Sequence, residues 1–542
     1  MTTSDSTHHD VLVVGAGFGG MYAVWKFREL GYDVAGLEAG GDVGGVWYWN
    51  RYPGARCDLQ SVDYSYGFHA EVQQEWSWSE QFAAQPEILA YANFVADRLD
   101  LRSQYRFETR VTAAVWDEGD QCWRITTDTG QTLQARFCVM ATGPLSVPKD
   151  PEIPGLDTFG GELLRAQKWP HHPVDFAGKR VGVIGTGSTG IQIVQEVGRQ
   201  AEELFVFQRT PSWTLPMRNH RLSEEYTAEM KRHYPALRQA MRVNPTGGTR
   251  PVSTRPYFSL PPEQRRAVMD HAWEDGGHTL LACFGDLLTN EAANDEVSEY
   301  VREKIEEVVD DSDTAEALKP RGYPIFARRV CLDTDYYETY NLPGVHLMDC
   351  LKDPIVEVTE SGVRTENGET ELDMLILATG YDALTGALLA FDIVGRDGCR
   401  LVDKWSDGPE TFLGLMVEDF PNMFTTCGPN SPAALANIIT ISEHDVDWIA
   451  DLVGWMGQEG HTSVQPSARG VKRWMDEVHR LAAGSLIRKA NTWWTGGNVE
   501  GKTRGLTMYV GGFNGYQAAC EAVAKDDYLE LEFGVPTSTR PA

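Results

Sequence analysis

Two stretches of the sequence have the same construction. VLVVGAGFGG at residues 11–20 and VGVIGTGSTG at residues 181–190 each join an apolar run, a glycine-rich turn and the start of a helical pattern. The glycines permit a tight turn, close approach of the backbone to a pyrophosphate, and close packing of helix on strand. The repeat predicts an α/β chain with two Rossmann-like dinucleotide-binding domains, and therefore two dinucleotide cofactors.

An acidic residue follows the first turn at the sequence spacing that is typical of dinucleotide-binding folds. The turn residues that we expect to contact a cofactor are Gly15, Gly17, Phe18 and Gly20, and Glu38 ends the next apolar run, eighteen residues past Gly20. A carboxylate at this place accepts hydrogen bonds from ribose hydroxyls. The combination of strand, turn, helix, strand and acid is stronger evidence than the glycines alone.

The second turn lacks that acid. The apolar run LFVFQRTP after Gly190 ends on Gln208 and Arg209. A carboxylate would repel a 2′-phosphate, whereas an arginine binds it through charge-assisted hydrogen bonds. This site is therefore predicted to prefer NADP over NAD.

Two further segments, ARFCVMATG and ELDMLILATG, are apolar runs that end in Ala-Thr-Gly at Gly143 and Gly380. Such strands mark crossings between two nucleotide domains, so we expect the domains to be interleaved. The predicted ranges are 1–148 for the first part of the first dinucleotide-binding domain, 149–214 for the first part of the NADP-binding domain, 215–325 for a helical insertion, 326–380 for the second NADP part, and 381–542 for the second part of the first domain with substrate-side loops.

The predicted insertion has a helical pattern. In NDEVSEYVREKIEEVV, apolar side chains recur on one face at 3.6-residue spacing with charges opposite; they are Val297, Tyr300, Val301, Ile305 and Val308.

Charge and cysteine usage exclude several classes of protein. A net charge of −30 opposes a nucleic-acid surface, which needs a basic face. Nine cysteines without a C-x-x-C pair suggest neither a zinc site nor a dithiol centre, and we predict no metal site. The polar first residues leave no room for a signal peptide, and no apolar run has membrane-spanning length. We expect a cytoplasmic protein that is a monomer or weak oligomer.

Two dinucleotide sites without a C-x-x-C pair favour flavin-dependent monooxygenases over disulfide reductases. GGVWYWNRYPGARCD at 44–58, FGGELLRAQKWP at 159–170, SPAALAN at 431–437 and TWWTGGNVEGK at 492–502 resemble the type I Baeyer-Villiger monooxygenases, and among them the phenylacetone and steroid monooxygenase branch. The resemblance implies that the first domain, residues 1–148 and 381–542, is the FAD-binding domain. It further implies an enzyme in which NADPH reduces FAD, dioxygen forms a flavin peroxide, and one oxygen atom enters beside a ketone carbonyl to give an ester or lactone.

The resemblance also implies roles for particular residues. It places a cation that stabilises the peroxide at Arg329 and its carboxylate partner at Asp58. The residues implied to contact the flavin are Val46, Trp47, Tyr48, Trp49, Tyr64, Val111 and Ile438. Those implied to hold NADP are Thr186, Gly187, Ser188, Thr189, Gly190, Ile191, Gln192, Arg209, Thr210, Arg328 and, on a loop that closes over the nicotinamide, Trp493.

One position departs from the family pattern. In the fingerprint F-x-G-x-x-x-H-x-x-x-W-P, Phe159, Gly161, Trp169 and Pro170 match, but Arg165 replaces the histidine. One alternative is therefore an uncoupled NADPH oxidase or a non-oxygenating flavoprotein. Another is an N-hydroxylating or flavin-containing monooxygenase acting on amines or sulfides, because LATGY at 377–381 is similar to an N-hydroxylase motif. The sequence does not distinguish linear, aryl, cyclic and polycyclic ketones.

Overall fold

A computed structural model describes residues 7–149, 151–433, 435–497, 505 and 507–535. Its larger sheet has a parallel centre extended by antiparallel strands, and three chain regions contribute to it. In spatial order its strands are Asp392–Val394, Val111–Asp117, Cys122–Thr127, Thr132–Met140, His8–Val14, Val34–Leu37 and Tyr105–Arg106, with Met423–Thr425 also pairing with Thr132–Met140.

The second sheet is entirely parallel. Its strands, in spatial order, are Val345–Asp349, Glu203–Gln208, Arg180–Ile184, Met374–Leu377 and Glu162–Arg165. A parallel sheet covered on both faces needs continuous apolar strands, and Met374–Leu377 is buried along its whole length. Along the chain, strands of the larger sheet come both before and after the strands of this second sheet. The prediction of two interleaved Rossmann-like folds is confirmed.

Both glycine turns have the same backbone geometry. Gly15 and Gly185 have φ values of 108° and 111°, and each turn leads into a helix, Phe18–Glu29 or Ser188–Val197. A Cβ atom at either glycine would lie 2.5 Å from the carbonyl oxygen of Ala141 or Ala378. These alanines begin the two Ala-Thr-Gly segments, so each segment fixes the turn beside it.

The third glycine of each turn packs helix against strand. A Cβ atom at Gly20 or Gly190 would lie 1.9 Å from the carbonyl oxygen of Gly15 or Gly185. Helix propensity alone would favour alanine by about 1 kcal/mol. Because a backbone oxygen this close cannot rotate away, the steric cost outweighs that preference.

We therefore expect Gly190→Ala to lower the free energy of unfolding by about 1–3 kcal/mol, the cost of overpacking. Gly187→Ala is the matched control, since its Cβ would meet no atom within 4 Å. Thermal unfolding of both variants checks this expectation. Equal losses of stability would contradict the packing role of Gly190.

Helices dominate residues 215–325, as the sequence pattern indicates. They are Glu224–Val243, Pro262–Asp275, Thr279–Ala282, Glu291–Val308 and Ser312–Leu318. Along Glu291–Val308 the predicted apolar face is buried at Val297, Tyr300, Val301 and Ile305, and Val308 is half-buried. A parallel pair of short strands, Thr214–Pro216 and Cys331–Asp333, joins the ends of this helical segment.

The last third of the chain packs back on the first. Tyr22 and Lys26, on the helix Phe18–Glu29, each donate a 2.7 Å hydrogen bond to the carboxylate of Asp447 on the helix Ile438–Glu459. The remaining helices are Val46–Trp49, Ala70–Glu75, Gln85–Arg98, Tyr336–Thr339, Gly386–Leu389, Leu401–Lys404, Ala468–Ala483 and Gly512–Lys525. The remaining strands are Ile355–Val358, Gly362–Thr365 and Glu369–Glu371, which form one antiparallel sheet, and Ser463–Pro466 with Leu531–Gly534, which form another.

The described residues contain no membrane-spanning helix, no disulfide bond and no metal-ligand cluster. Among the described residues no helix has the length and apolar character needed to cross a membrane. The nine cysteines, all within the described ranges, are free thiols. The same ranges contain no cluster of three metal-ligating side chains.

Candidate active site

A cavity of about 2460 Å³ lies between the two sheets and is lined by both glycine turns and both Ala-Thr-Gly segments. Parallel strands of such sheets place ligands at their carboxyl ends, which is where this cavity lies. Most of the residues singled out from the sequence line it. They are Gly15, Gly17, Phe18, Glu38, Val46, Trp47, Trp49, Asp58, Tyr64, Val111, Thr186, Gly187, Ser188, Thr189, Gln192, Arg209, Thr210, Arg328, Arg329 and Ile438.

Glu38 is fixed at the first turn. Its carboxylate accepts hydrogen bonds from the backbone N–H groups of Ala16 at 2.8 Å and Gly40 at 2.6 Å. Burial raises the pKa of Glu38, and these two bonds oppose the rise. The acid is thus held at the end of its strand, beside the turn, as a ribose-binding acid requires.

Basic residues from other segments line the cavity together with the second turn. Arg209 is exposed within the cavity lining, whereas Gln208 is buried and donates from Nε2 to the carbonyl of Ala317 at 2.8 Å. Thr186 Oγ1 donates to the carbonyl of Thr210 at 3.1 Å, which ties the turn to the residue after Arg209. The Arg328 guanidinium lies 4.1 Å from the ring centre of Tyr323. This donor set fits a nucleotide with an additional phosphate.

Asp58 and Arg329 form an ion pair in the cavity wall. Arg329 Nη2 donates to Asp58 Oδ2 at 2.8 Å, and the Asp58 side chain is only 3% exposed while that of Arg329 is 42% exposed. Arg329 lines the cavity, so its accessible surface faces the interior space. Burial lowers the pKa of Arg329, whereas the Asp58 carboxylate raises it together with Cys331 and Cys57, and the pKa lies above its ordinary value. The guanidinium is therefore a permanent cation facing the cavity.

The aromatic residues after the first turn form part of the same wall. Trp47 Nε1 donates to the Tyr64 hydroxyl at 2.9 Å, and Gln85 Nε2 donates to the Trp47 carbonyl at 2.6 Å. Burial raises the pKa of Tyr64, so its hydroxyl stays protonated. This fixed aromatic surface beside the first turn suits a planar ring system.

Four described residues singled out from the sequence do not line the cavity. Gly20 and Gly190 pack helix against strand, and Ile191 lies in the core of the second sheet. Tyr48 is turned away, because its hydroxyl accepts from Gly41 N–H at 3.0 Å and its ring packs edge-on against His171. The side chain of Trp493 lies outside the described part of the structure.

Several cavity residues are not among those expected from the sequence to form the site. Trp494, beside Trp493, is 2% exposed and lines the cavity, and so do Gln167 and His278. Burial lowers the pKa of His278 to about 4, with Arg329 and Arg250 acting in the same direction and Asp58 opposing them. His278 is therefore neutral near pH 7. It reaches the site through the folding of the helical segment, which no local pattern indicates.

The segment with the altered fingerprint lies next to the cavity. Gly161 is required by packing, since its Cβ would lie 2.5 Å from the Asp373 carbonyl oxygen, and Trp169 is buried. Gln167 Nε2 donates to the carbonyl of Gly380 at 2.8 Å. Arg165 ends the strand Glu162–Arg165 and is half-buried, but it is not part of the cavity lining.

Comparisons with known proteins agree with this arrangement. A family model described as pyridine nucleotide-disulphide oxidoreductase matches residues 9–238. The chain is 40% identical over 533 residues to 2-oxo-Delta(3)-4,5,5-trimethylcyclopentenylacetyl-CoA monooxygenase of Pseudomonas putida, covering 96% of this chain and 98% of the relative. It is 39% identical over 526 residues to a Baeyer-Villiger monooxygenase of Pseudooceanicola batsensis, covering 96% of each chain. A phenazine N-monooxygenase of Lysobacter antibioticus is 38% identical over 531 residues, covering 97% of each.

Solved structures show the same fold over almost the whole chain. An oxidized steroid monooxygenase bound to NADP has a TM-score of 0.94 and 45% identity, and the match covers 97% of this chain and 99% of that chain. A complex of OTEMO with FAD and NADP has a TM-score of 0.94 and 39% identity, covering 98% and 100%. Together with the paired glycine turns and the Asp58–Arg329 pair, these likenesses show that the chain belongs to the type I Baeyer-Villiger monooxygenases.

Proposed function

We propose that FAD binds beside the first glycine turn, that NADPH binds beside the second, and that Arg329 faces the reacting ketone between them. The enzyme is a flavin-dependent monooxygenase that converts ketones into esters or lactones. When bound, the reduced flavin activates dioxygen for insertion beside a carbonyl group. The observation that carries the proposal is the Asp58–Arg329 pair in the wall of a cavity that both turns line.

Arg329 supplies charge stabilisation in this proposal. Negative charge develops on oxygen during insertion, and a cation fixed in position stabilises this charge without reorganisation. Asp58 holds the guanidinium through its 2.8 Å hydrogen bond and keeps it charged. Asp58 therefore acts through Arg329.

The carbon skeleton of the ketone is proposed to contact apolar residues of the cavity lining. Leu281, Phe284, Leu288, Leu435 and Val510 line the cavity, and these side chains offer no hydrogen-bond donor to a polar substrate. An apolar wall suits a ketone whose carbonyl meets Arg329 while its carbon skeleton contacts aliphatic and aromatic groups. Such walls discriminate weakly between similar skeletons, so several ketones are expected to react.

A ketone panel tests the proposal. Purified enzyme with NADPH and dioxygen is incubated with linear, aryl, cyclic and polycyclic ketones, and products are identified by mass spectrometry. We expect esters or lactones heavier than the ketone by one oxygen atom. A parallel panel of aromatic amines, N-heterocycles and sulfides covers the alternative that the phenazine N-monooxygenase relative represents. N-oxides or S-oxides without any ester would contradict the assignment.

Arg165 provides a prediction about coupling between NADPH oxidation and oxygen insertion. Arginine only donates hydrogen bonds, whereas neutral histidine can also accept one. We expect some NADPH electrons to end as hydrogen peroxide and Arg165→His to raise the yield of ester per NADPH consumed. Quantifying ester, NADPH and hydrogen peroxide in both enzymes checks this. Identical ratios would remove Arg165 from the coupling argument.

The proposal includes dioxygen as co-substrate, a cytoplasmic location and a monomeric or weakly oligomeric state. Nine free thiols suit a reducing compartment. Light scattering on the purified enzyme over a range of concentrations tests the oligomeric state.

A further inference from the structure

Residues 50–58, which we term the clamp segment, connect the aromatic wall of the first cofactor site to the Asp58 carboxylate. The segment contains almost no regular structure, so contacts with its neighbours fix its position. Its first residue, Asn50, accepts a 2.6 Å hydrogen bond from Tyr381, which follows the second Ala-Thr-Gly segment. The start of the clamp segment is thus attached to the chain just after the second Ala-Thr-Gly segment, where the chain leaves the second sheet.

Gln192 attaches the middle of the clamp segment to the second nucleotide fold. It lies on the helix Ser188–Val197, which the second glycine turn begins, and it is 6% exposed. Its Oε1 accepts from the Tyr52 hydroxyl at 3.0 Å, and its Nε2 donates to the Arg56 carbonyl at 3.0 Å. Both ends of one amide therefore bind the clamp segment, two and six residues before Asp58.

The backbone packs as closely as the side chains. Gly54 has a φ of 82°, and a Cβ atom there would lie 2.4 Å from the Gln192 carbonyl oxygen. Burial raises the pKa of Tyr52 to about 12, with smaller effects from Asp58 and Arg329, so the hydroxyl keeps the proton that it donates. The contact joins the helix of the second turn to the peptide that carries Asp58.

We infer that Gln192 is a positioning residue. It holds Asp58, and through Asp58 also Arg329, in a fixed position relative to the NADP-binding helix. This inference rests on the proposed function. The sequence resemblance implies that Gln192 contacts NADP. In the structure, however, the oxygen and the nitrogen of its amide form hydrogen bonds with Tyr52 and Arg56. Loss of the amide lets the clamp segment shift relative to the helix, which displaces the cation from the reacting atoms.

Gln195 offers a matched control on the same helix. It is also 6% exposed, and its amide donates to the Ile191 carbonyl and accepts from the N–H groups of Thr334 and Asp335. It makes no hydrogen bond to the clamp segment. Gln192→Leu and Gln195→Leu thus remove similar buried amides, and only the first loosens the clamp segment.

The experiment compares both variants with the wild-type enzyme carrying its flavin. For Gln192→Leu we expect NADP⁺ affinity, measured by calorimetry, to stay within about twofold. Ester per NADPH should fall by about tenfold, less than the roughly 100-fold loss of rate that a 1 Å misplacement of a catalytic group can cause, because Asp58 keeps its own bond to Arg329. The flavin absorbance change that NADP⁺ induces should shrink as well. Gln195→Leu should lower the melting temperature but leave the ester ratio and the absorbance change as in the wild type.

A Tyr52→Phe variant completes the test, because it removes only one hydroxyl. It should lose part of the coupling, and the double variant with Gln192→Leu should be no worse than Gln192→Leu alone. A tenfold weaker NADP⁺ affinity with unchanged coupling would overturn the inference, and so would equal uncoupling by Gln195→Leu. A wild-type enzyme that makes no ester from any ketone would contradict the proposed function instead, and the NADP⁺ affinity and absorbance change would then decide the role of Gln192.

Discussion

Arg329→Ala is expected to reduce ester formation by about 100-fold or more while FAD remains bound, because one fixed donor to a developing oxyanion contributes roughly this factor. NADPH should still reduce the flavin, since the basic groups at the second turn are untouched. The electrons should then appear as hydrogen peroxide. Rates of NADPH oxidation, ester formation and hydrogen peroxide formation measure the three outcomes together.

A second variant distinguishes loss of the catalytic cation from loss of folding. Removing Arg329 leaves Asp58, which is 3% exposed, as an unpaired buried carboxylate. Arg329→Ala combined with Asp58→Asn removes that charge, and the double variant should fold while forming ester at least about 100-fold more slowly than the wild type. Arg329→Lys keeps a positive charge and should retain partial activity. Ester formation near the wild-type rate in the double variant would assign the chemistry to other residues.

Arg209→Ala is expected to raise the Michaelis constant for NADPH by about 10- to 100-fold, the equivalent of a charge-assisted hydrogen bond of about 1.5–3 kcal/mol. The constant for NADH should change little, because NADH lacks the 2′-phosphate. Arg209→Lys is the matched control, since it keeps the charge and loses the fork geometry. Steady-state kinetics with both nicotinamides checks the effect, and an unchanged preference for NADPH in Arg209→Ala would contradict it.

The parts of the fold that local patterns encode could be predicted from the sequence. The steric requirements at Gly15, Gly20, Gly185 and Gly190 act within one strand–turn–helix unit, so the glycine spacing indicates the geometry directly. The 3.6-residue pattern around Val297 likewise predicts a helix with a buried face. Interleaving follows from two Ala-Thr-Gly segments that lie more than two hundred residues apart in the chain.

Contacts between distant segments could not be predicted in the same way. Tyr48 belongs to the expected motif, but its direction depends on Gly41 and His171, which pack against it only in the folded chain. Gln192 looks like a nucleotide contact because of its neighbours, and its bonds to Tyr52 and Arg56 depend on how the clamp segment crosses the helix. His278 reaches the cavity from a helical segment whose sequence carries no signal of a site.

The fate of the oxygen atoms tests the central claim most directly. The reaction consumes a ketone, NADPH, a proton and dioxygen, and it yields an ester or lactone, NADP⁺ and water. With ¹⁸O-labelled dioxygen and a reactive ketone from the panel, the account predicts one ¹⁸O atom per ester molecule and close to one ester per NADPH in the Arg165→His enzyme. Unlabelled product, or NADPH oxidation that yields only hydrogen peroxide with every ketone, would contradict it.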